Sequence, residues 1–172
     1  MNEYPIIGIV AARGSGKTLT MTALASAYAS AGMNVYANYN LYGIPYEHIE
    51  FNDIVDYPEY IHDGVIFIDE AHIGTDAYAF FSKRVKGITK FSTQTRKRHL
   101  IFIYSTQVFT QVAKRLRDLT DYIIYCQEMR VKGIIALSIH DRNPDDSFIH
   151  SRILDGRSFF ESYDTDEIIE LK

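Results

Sequence analysis

"IGIVAARGSGKTLTMTALASAYASAG" (residues 7–32) decides the fold. A short apolar run leads into a glycine-rich turn, and the turn opens onto a segment with helical spacing. The pattern G-x-x-x-x-G-K-[ST] in that setting describes a phosphate-gripping loop between a strand and a helix. Here Ala11 stands where the first glycine belongs, while Gly16, Lys17 and Thr18 complete the pattern. The first glycine mainly makes room for the turn, so an alanine is tolerable there if its φ is negative. The nucleotide-binding candidates are Arg13, Gly14, Ser15, Gly16, Lys17, Thr18 and Leu19. Backbone N–H groups from Gly14 to Lys17 would face phosphate at the helix N-terminus, where partial positive charge favours anions. Lys17 would neutralise the β- and γ-phosphates, and Thr18 would place its hydroxyl on Mg²⁺. The competing reading is a plain glycine turn before a helix.

Two further segments bear on that choice. "GVIFIDEAH" (64–72) is an apolar strand running into Asp69 and Glu70. A strand buried on both faces reads as a continuous apolar run, and ligands bind at the carboxyl ends of such strands. Asp69 would join Thr18 in holding Mg²⁺, and Glu70 would orient or deprotonate an attacking water. His72 reads as a capping or supporting residue, because no partner ligands lie at metal-binding spacing. "HLIFIYSTQ" (99–107) is a second apolar strand, ending in Ser105, Thr106 and Gln107. Gln107 would sit beside the γ-phosphate as a sensor or water-positioning group.

The rest of the chain alternates in the same way. "YPIIGIVAA" (4–12) and "MNVYANYNL" (33–41) read as strands, and residues 41–62 as irregular and aromatic. "GKTLTMTALASAYASAG" (16–32) is a helix with Leu19, Leu24, Ala27 and Tyr28 at helical spacing, ending at Gly32. "TQVAKRLRDL" (110–119) reads as a helix. "DYIIYCQEMR" (121–130) and "KGIIALSIHD" (132–141) form a hairpin, "DRNPDDSF" (141–148) is a loop, and "TDEIIELK" (165–172) is a short terminal helix or strand. Alternating strands and helices argue for an α/β fold, mainly parallel, flanked by helices, with an antiparallel C-terminal hairpin at its edge. With 172 residues and no linker or repeat, the chain reads as a single domain, 1–172.

Composition narrows the setting. No apolar run approaches the roughly 20 residues of a membrane span, no secretory leader is visible, and the one cysteine, Cys126, has no partner in the chain. These features lead us to expect a cytoplasmic protein. The net charge of −4 hides an asymmetry: ten Lys and Arg and no acid lie between Lys83 and Arg117, leaving eight basic and 22 acidic residues elsewhere. A one-signed block inside an acidic chain points to an anionic partner, with a solvated face as the alternative.

"GSGKT", "IFIDEAH", "TRKRHLIFIYSTQ" and the terminal "FESYDT" together resemble the HerA–FtsK superfamily of P-loop ATPases. The resemblance is closest to its zonula-occludens-toxin-like and viral genome-packaging branch and covers residues 5–127. It implies a RecA-like P-loop NTPase domain that uses ATP and Mg²⁺. It further implies a homo-oligomeric ring, usually hexameric, with ATP between subunits. A basic residue shortly before the T-Q strand then serves as an arginine finger in trans; Arg96 is the best match and Arg98 the neighbouring alternative. Lys17, Glu70, Gln107 and the finger would be the catalytic set. Lys83, Arg84, Lys86 and Lys90 become candidates for non-specific contact with DNA phosphates. A viral member would work in the host cytoplasm or associate with virions, with a capsid or membrane protein as a further partner.

Three readings follow: a DNA-translocating packaging motor, an assembly or export ATPase of the filamentous-phage type, and a small P-loop kinase with residues 83–98 as its lid. A binding module without turnover is disfavoured by Glu70. "DEAH" is also a helicase motif, but such helicases need a second similar domain.

Overall fold

The computed structural model describes residues 3–50, 53, 59–71, 90, 93–142 and 146–164. An eight-stranded sheet forms the frame, in the order β3-β2-β4-β5-β1-β6-β7-β8. Its strands are β1 (Ile6–Val10), β2 (Asn34–Ala37), β3 (Glu47–His48), β4 (Gly64–Ile68), β5 (Leu100–Thr106), β6 (Tyr122–Glu128), β7 (Ile134–Asp141) and β8 (Ser147–Asp155). The first six are mutually parallel, and β7 and β8 continue the sheet antiparallel as a wing.

β4 and β5 read as unbroken apolar runs because both their faces are covered. Ile66, Ile68, Phe102 and Tyr104 join a cluster with Val112 and Leu116 on one face. Val65, Phe67, Ile101 and Ile103 join a second cluster with Met21 and Ala25 on the other. Each such side chain contributes about 1.5–3 kcal/mol by leaving water, so this pair of strands is the centre of the core. Helix α1 (Lys17–Ser30) covers the second face, and the short α2 (Lys114–Leu119) covers the first.

α1 follows the expected span, but its buried side is broader than the spacing suggested. Lys17, Leu19, Thr20, Met21, Thr22, Ala23 and Ala25 are all buried, while Ala27 is exposed. The helix ends as predicted at Gly32. That residue takes φ 82, the Gly32 N–H donates to the Ala29 carbonyl and the Met33 N–H to that of Tyr28. Those two bonds satisfy the last carbonyls of the helix in the usual glycine-terminated way.

Several sequence readings are trimmed or corrected. Residues 33–41 yield a strand only over Asn34–Ala37, with Leu41 forming an isolated bridge to Tyr163. Residues 110–119 divide between a 3-10 turn at Phe109–Gln111 and α2. The expected hairpin of β6 and β7 is present, but a third antiparallel strand, β8, begins at Ser147 inside the stretch read as a loop. Residues 165–172 and His72 lie outside the described residues.

Candidate nucleotide site

β1, β4 and β5 run in parallel and in register, with Val10 beside Thr106 and Ile68 beside Tyr104. Their carboxyl ends therefore open on one edge of the sheet, and each delivers one part of the predicted site. Ala11 is buried, its N–H bonds to the Thr106 carbonyl at 3.3 Å, and it is not among the described residues of positive φ. It acts as one more strand residue, so this position needs no glycine.

The loop that follows turns on Gly14 and Gly16, with φ of 73 and 86. Gly16 precedes the first turn of α1, which carries no acidic residue. A Cβ on Gly16 would lie 2.3 Å from Cδ1 of Ile135 in β7, so the antiparallel wing sits directly against the loop. Arg13 and Gly14 are exposed at its tip. The Ser15 N–H donates to the Ala12 carbonyl at 3.3 Å, a turn-closing bond that the motif alone does not reveal. Leu19 is buried, and a Cβ on Gly156 would come within 2.7 Å of its Cδ2. Its side chain thus belongs to packing between α1 and the segment after β8.

Lys17 is only 6% exposed. Its Nζ donates to the Ala12 carbonyl at 3.4 Å and lies 3.9 Å from Glu70 Oε1. The Gln107 Nε2 donates to the same Glu70 oxygen at 3.4 Å. Thr18 Oγ1 donates to Asp69 Oδ2 at 2.7 Å. The five central candidates, drawn from the ends of two strands and the start of one helix, thus form one connected cluster. The Thr18 hydroxyl and Asp69 carboxylate are an all-oxygen pair suited to a hydrated Mg²⁺, which typically takes one or two carboxylates plus phosphate oxygens. Glu70 adopts φ 51, a region that non-glycine residues rarely occupy outside functional sites and turns.

Two polar residues that the motifs did not flag hold these acids. The Asn38 side chain bonds both backbone groups of Asp69, and the Ser105 hydroxyl contacts both the Asp69 carboxylate and the Glu70 N–H. The available signal was modest: both are small polar residues just at or after the end of an apolar strand.

The arginines lie elsewhere. Arg96 and Arg98 form a 3-10 turn immediately before β5, whereas Gln107 follows the far end of that strand. Seven strand residues at about 3.3 Å each separate the two by about 20 Å. Arg96 is exposed, while Arg98 is half-buried and its Nη1 donates to the Ile61 carbonyl at 3.1 Å. The same edge carries Asp63, whose carboxylate accepts from Nδ1 of His62 and of His99, each at 2.8 Å. These two bonds hold the Asp63 carboxyl below its ordinary range. Of the phosphate-contact candidates, Lys90 is exposed, and Lys83, Arg84 and Lys86 lie outside the described residues. No helix among the described residues is long and apolar enough to cross a membrane.

No protein-family model and no curated protein sequence matches the chain. Solved structures do. The N-terminal domain of zonular occludens toxin from Neisseria meningitidis superposes with a TM-score of 0.67 at 21% identity, covering 95% of this chain and 100% of that one. The genome-packaging NTPase of Sulfolobus turreted icosahedral virus 2, in complex with AMPPCP, gives 0.60 at 15% identity, covering 89% and 97%. A DnaB-like replicative helicase gives 0.58 at 13% identity over 94% of this chain and 58% of its own. The chain therefore shares the RecA-like P-loop ATPase architecture of these neighbours.

Proposed function

We propose that the protein is an ATP-hydrolysing motor that translocates DNA, in the manner of a viral genome-packaging ATPase. The observation that carries the reading is the single connected cluster of Lys17, Thr18, Asp69, Glu70 and Gln107 at the carboxyl edge of the parallel strands. The loop N–H groups and Lys17 would bind the β- and γ-phosphates, and Thr18 and Asp69 would hold Mg²⁺. The metal, when bound, neutralises charge developing on the phosphoryl oxygens. Glu70 would accept a proton from the attacking water, and Gln107 would keep that carboxylate aimed.

Arg96 is assigned as a finger in trans. It lies at the opposite end of β5 from Gln107, so within one subunit it serves no γ-phosphate. Stacked subunits in a ring would bring that edge to a neighbour's site, and an arginine supplied there is worth several orders of magnitude in rate. Lys83, Arg84, Lys86 and Lys90 are assigned to phosphate contacts with DNA, which carry little sequence preference. One neighbour in fold, the genome-packaging NTPase of Sulfolobus turreted icosahedral virus 2, is solved in complex with AMPPCP and with ATP-gammaS, which supports ATP as the nucleotide.

An assembly or export role is the second reading, favoured by the higher TM-score to the zonular occludens toxin domain. ATPase assays with and without double-stranded DNA separate the two. The motor reading expects DNA-stimulated turnover, abolished in Lys17→Ala and strongly reduced in Arg96→Ala. Unchanged turnover in Arg96→Ala removes the finger, and absence of DNA binding at low salt removes translocation.

A further inference from the structure

The Asp69–Glu70 peptide is clamped from both neighbouring strands. On the β2 side, Asn38 Oδ1 accepts from the Asp69 N–H at 2.7 Å, and Asn38 Nδ2 donates to the Asp69 carbonyl at 3.2 Å. The Asn38 backbone N–H also donates to the Phe67 carbonyl at 3.2 Å. The last main-chain pair of these strands is Ala37 with Phe67. The Asn38 side chain therefore adds rungs to the ladder beyond the point where the strand itself ends, at the residue that carries the metal-holding carboxylate.

Ser105 closes the clamp from β5. It is fully buried, donates its hydroxyl proton to Asp69 Oδ1 and accepts the Glu70 N–H at 3.0 Å. This divides the Asp69 carboxylate between two duties. Oδ1 takes hydrogen bonds from Ser105 and from the Glu70 N–H at 3.0 Å, while Oδ2 faces the Thr18 hydroxyl at 2.7 Å. The same bonds hold Glu70 at φ 51, and that twist turns its side chain back toward Lys17 and Gln107. A rarely populated backbone conformation persists only when its surroundings over-determine it, and here Asn38 and Ser105 supply that constraint.

We propose that Asn38 and Ser105 are positioning residues for hydrolysis: they lock the Asp69–Glu70 peptide so that Asp69 Oδ2 faces the metal position and Glu70 faces the phosphate site. This rests on reading Asp69 and Glu70 as the metal-holding and water-orienting carboxylates. Neither residue belongs to the phosphate loop, and both bond only the Asp69–Glu70 segment at this site, so each would act on the metal-dependent step and leave the backbone grip on nucleotide intact.

The decisive variant is Ser105→Ala, which deletes one hydroxyl and adds no atoms, with Asn38→Ala as its partner. Groups that orient metal-binding side chains typically change metal affinity or activity by about 10–100-fold when removed. Both variants should lose kcat on that scale with KM for ATP little changed. A fluorescent ATP analogue should bind each variant normally in EDTA, but with a weakened response to added Mg²⁺. Ser105→Thr, which keeps the hydroxyl, should recover most of the loss.

Wild-type kcat and Mg²⁺ response in Ser105→Ala overturn the proposal. So does loss of metal-free binding, which would make Ser105 part of the fold of the loop, and so does a Ser105→Thr variant no better than Ser105→Ala. The parent reading is checked separately by Glu70→Gln: full turnover there removes the role of Glu70 whatever Ser105 does.

Discussion

Replacing Gly16 with alanine measures how firmly the phosphate loop rests on the antiparallel wing. Gly16 has φ 86, and its missing Cβ would lie 2.3 Å from Cδ1 and 3.0 Å from Cγ1 of the fully buried Ile135. Two costs follow. Left-handed backbone costs a residue with a Cβ about 1–2 kcal/mol, and overpacking against a close-packed neighbour adds about 1–3 kcal/mol. The sum, about 2–5 kcal/mol, is a large part of the 5–15 kcal/mol or so typical of a domain. Ile135→Ala alone also costs about 2–5 kcal/mol as a buried truncation, but it removes the obstruction. In that background Gly16→Ala should cost only the backbone share, about 1–2 kcal/mol. Urea unfolding of the wild type, both single variants and the double variant closes the cycle. The expected coupling is about 1–3 kcal/mol in favour of the double variant. Costs that add within about 0.5 kcal/mol would refute the contact between loop and wing.

Two further outcomes follow from titratable groups. Burial pushes the Cys126 thiol up to about 11 from 9.0, so it should resist iodoacetamide in the folded protein at mildly alkaline pH and react fully in denaturant. Because the folded state keeps the proton longer, stability should decline as pH rises above 9.0; rapid labelling of folded protein would contradict this. Hydrogen bonds from Arg157 hold the Asp155 carboxyl down at about 2. Its contribution is present above 3.8 and lost as pH falls toward 2, so Asp155→Asn should make acid destabilisation shallower in that window, by a small amount at so exposed a site. An unchanged slope of stability against pH there would count against it.

The central site was legible because its parts are local. Gly16, Lys17 and Thr18 are adjacent in sequence, and Asp69 and Gln107 each terminate an apolar run that is continuous because both faces of its strand are buried. The supports were not legible, because they depend on register between distant segments. Asn38 reaches Asp69 31 residues away, and Ile135 meets Gly16 only once β7 has folded back along β6. β8 escaped for a different reason. Nearly all of its residues are exposed, so burial imposes no alternation on its sequence, and "DRNPDDSF" shows only its turn-forming start. Arg96 was identifiable as a basic residue before a strand, and the strand read at 99–107 already sets it a strand's length from Gln107.

The wing also has a mechanical meaning. β7 is hydrogen-bonded to β6 on one side and to β8 on the other, and it carries Ile135 beneath Gly16. The three strands therefore form one hydrogen-bonded plate whose inner part packs against the phosphate loop. Phe148, Ile149 and Ile153 lie open along the outer edge of that plate. That edge is joined to Gly16 by paired strands and a packed side chain rather than by a slack linker, so a displacement of the rim would reach the wall of the loop.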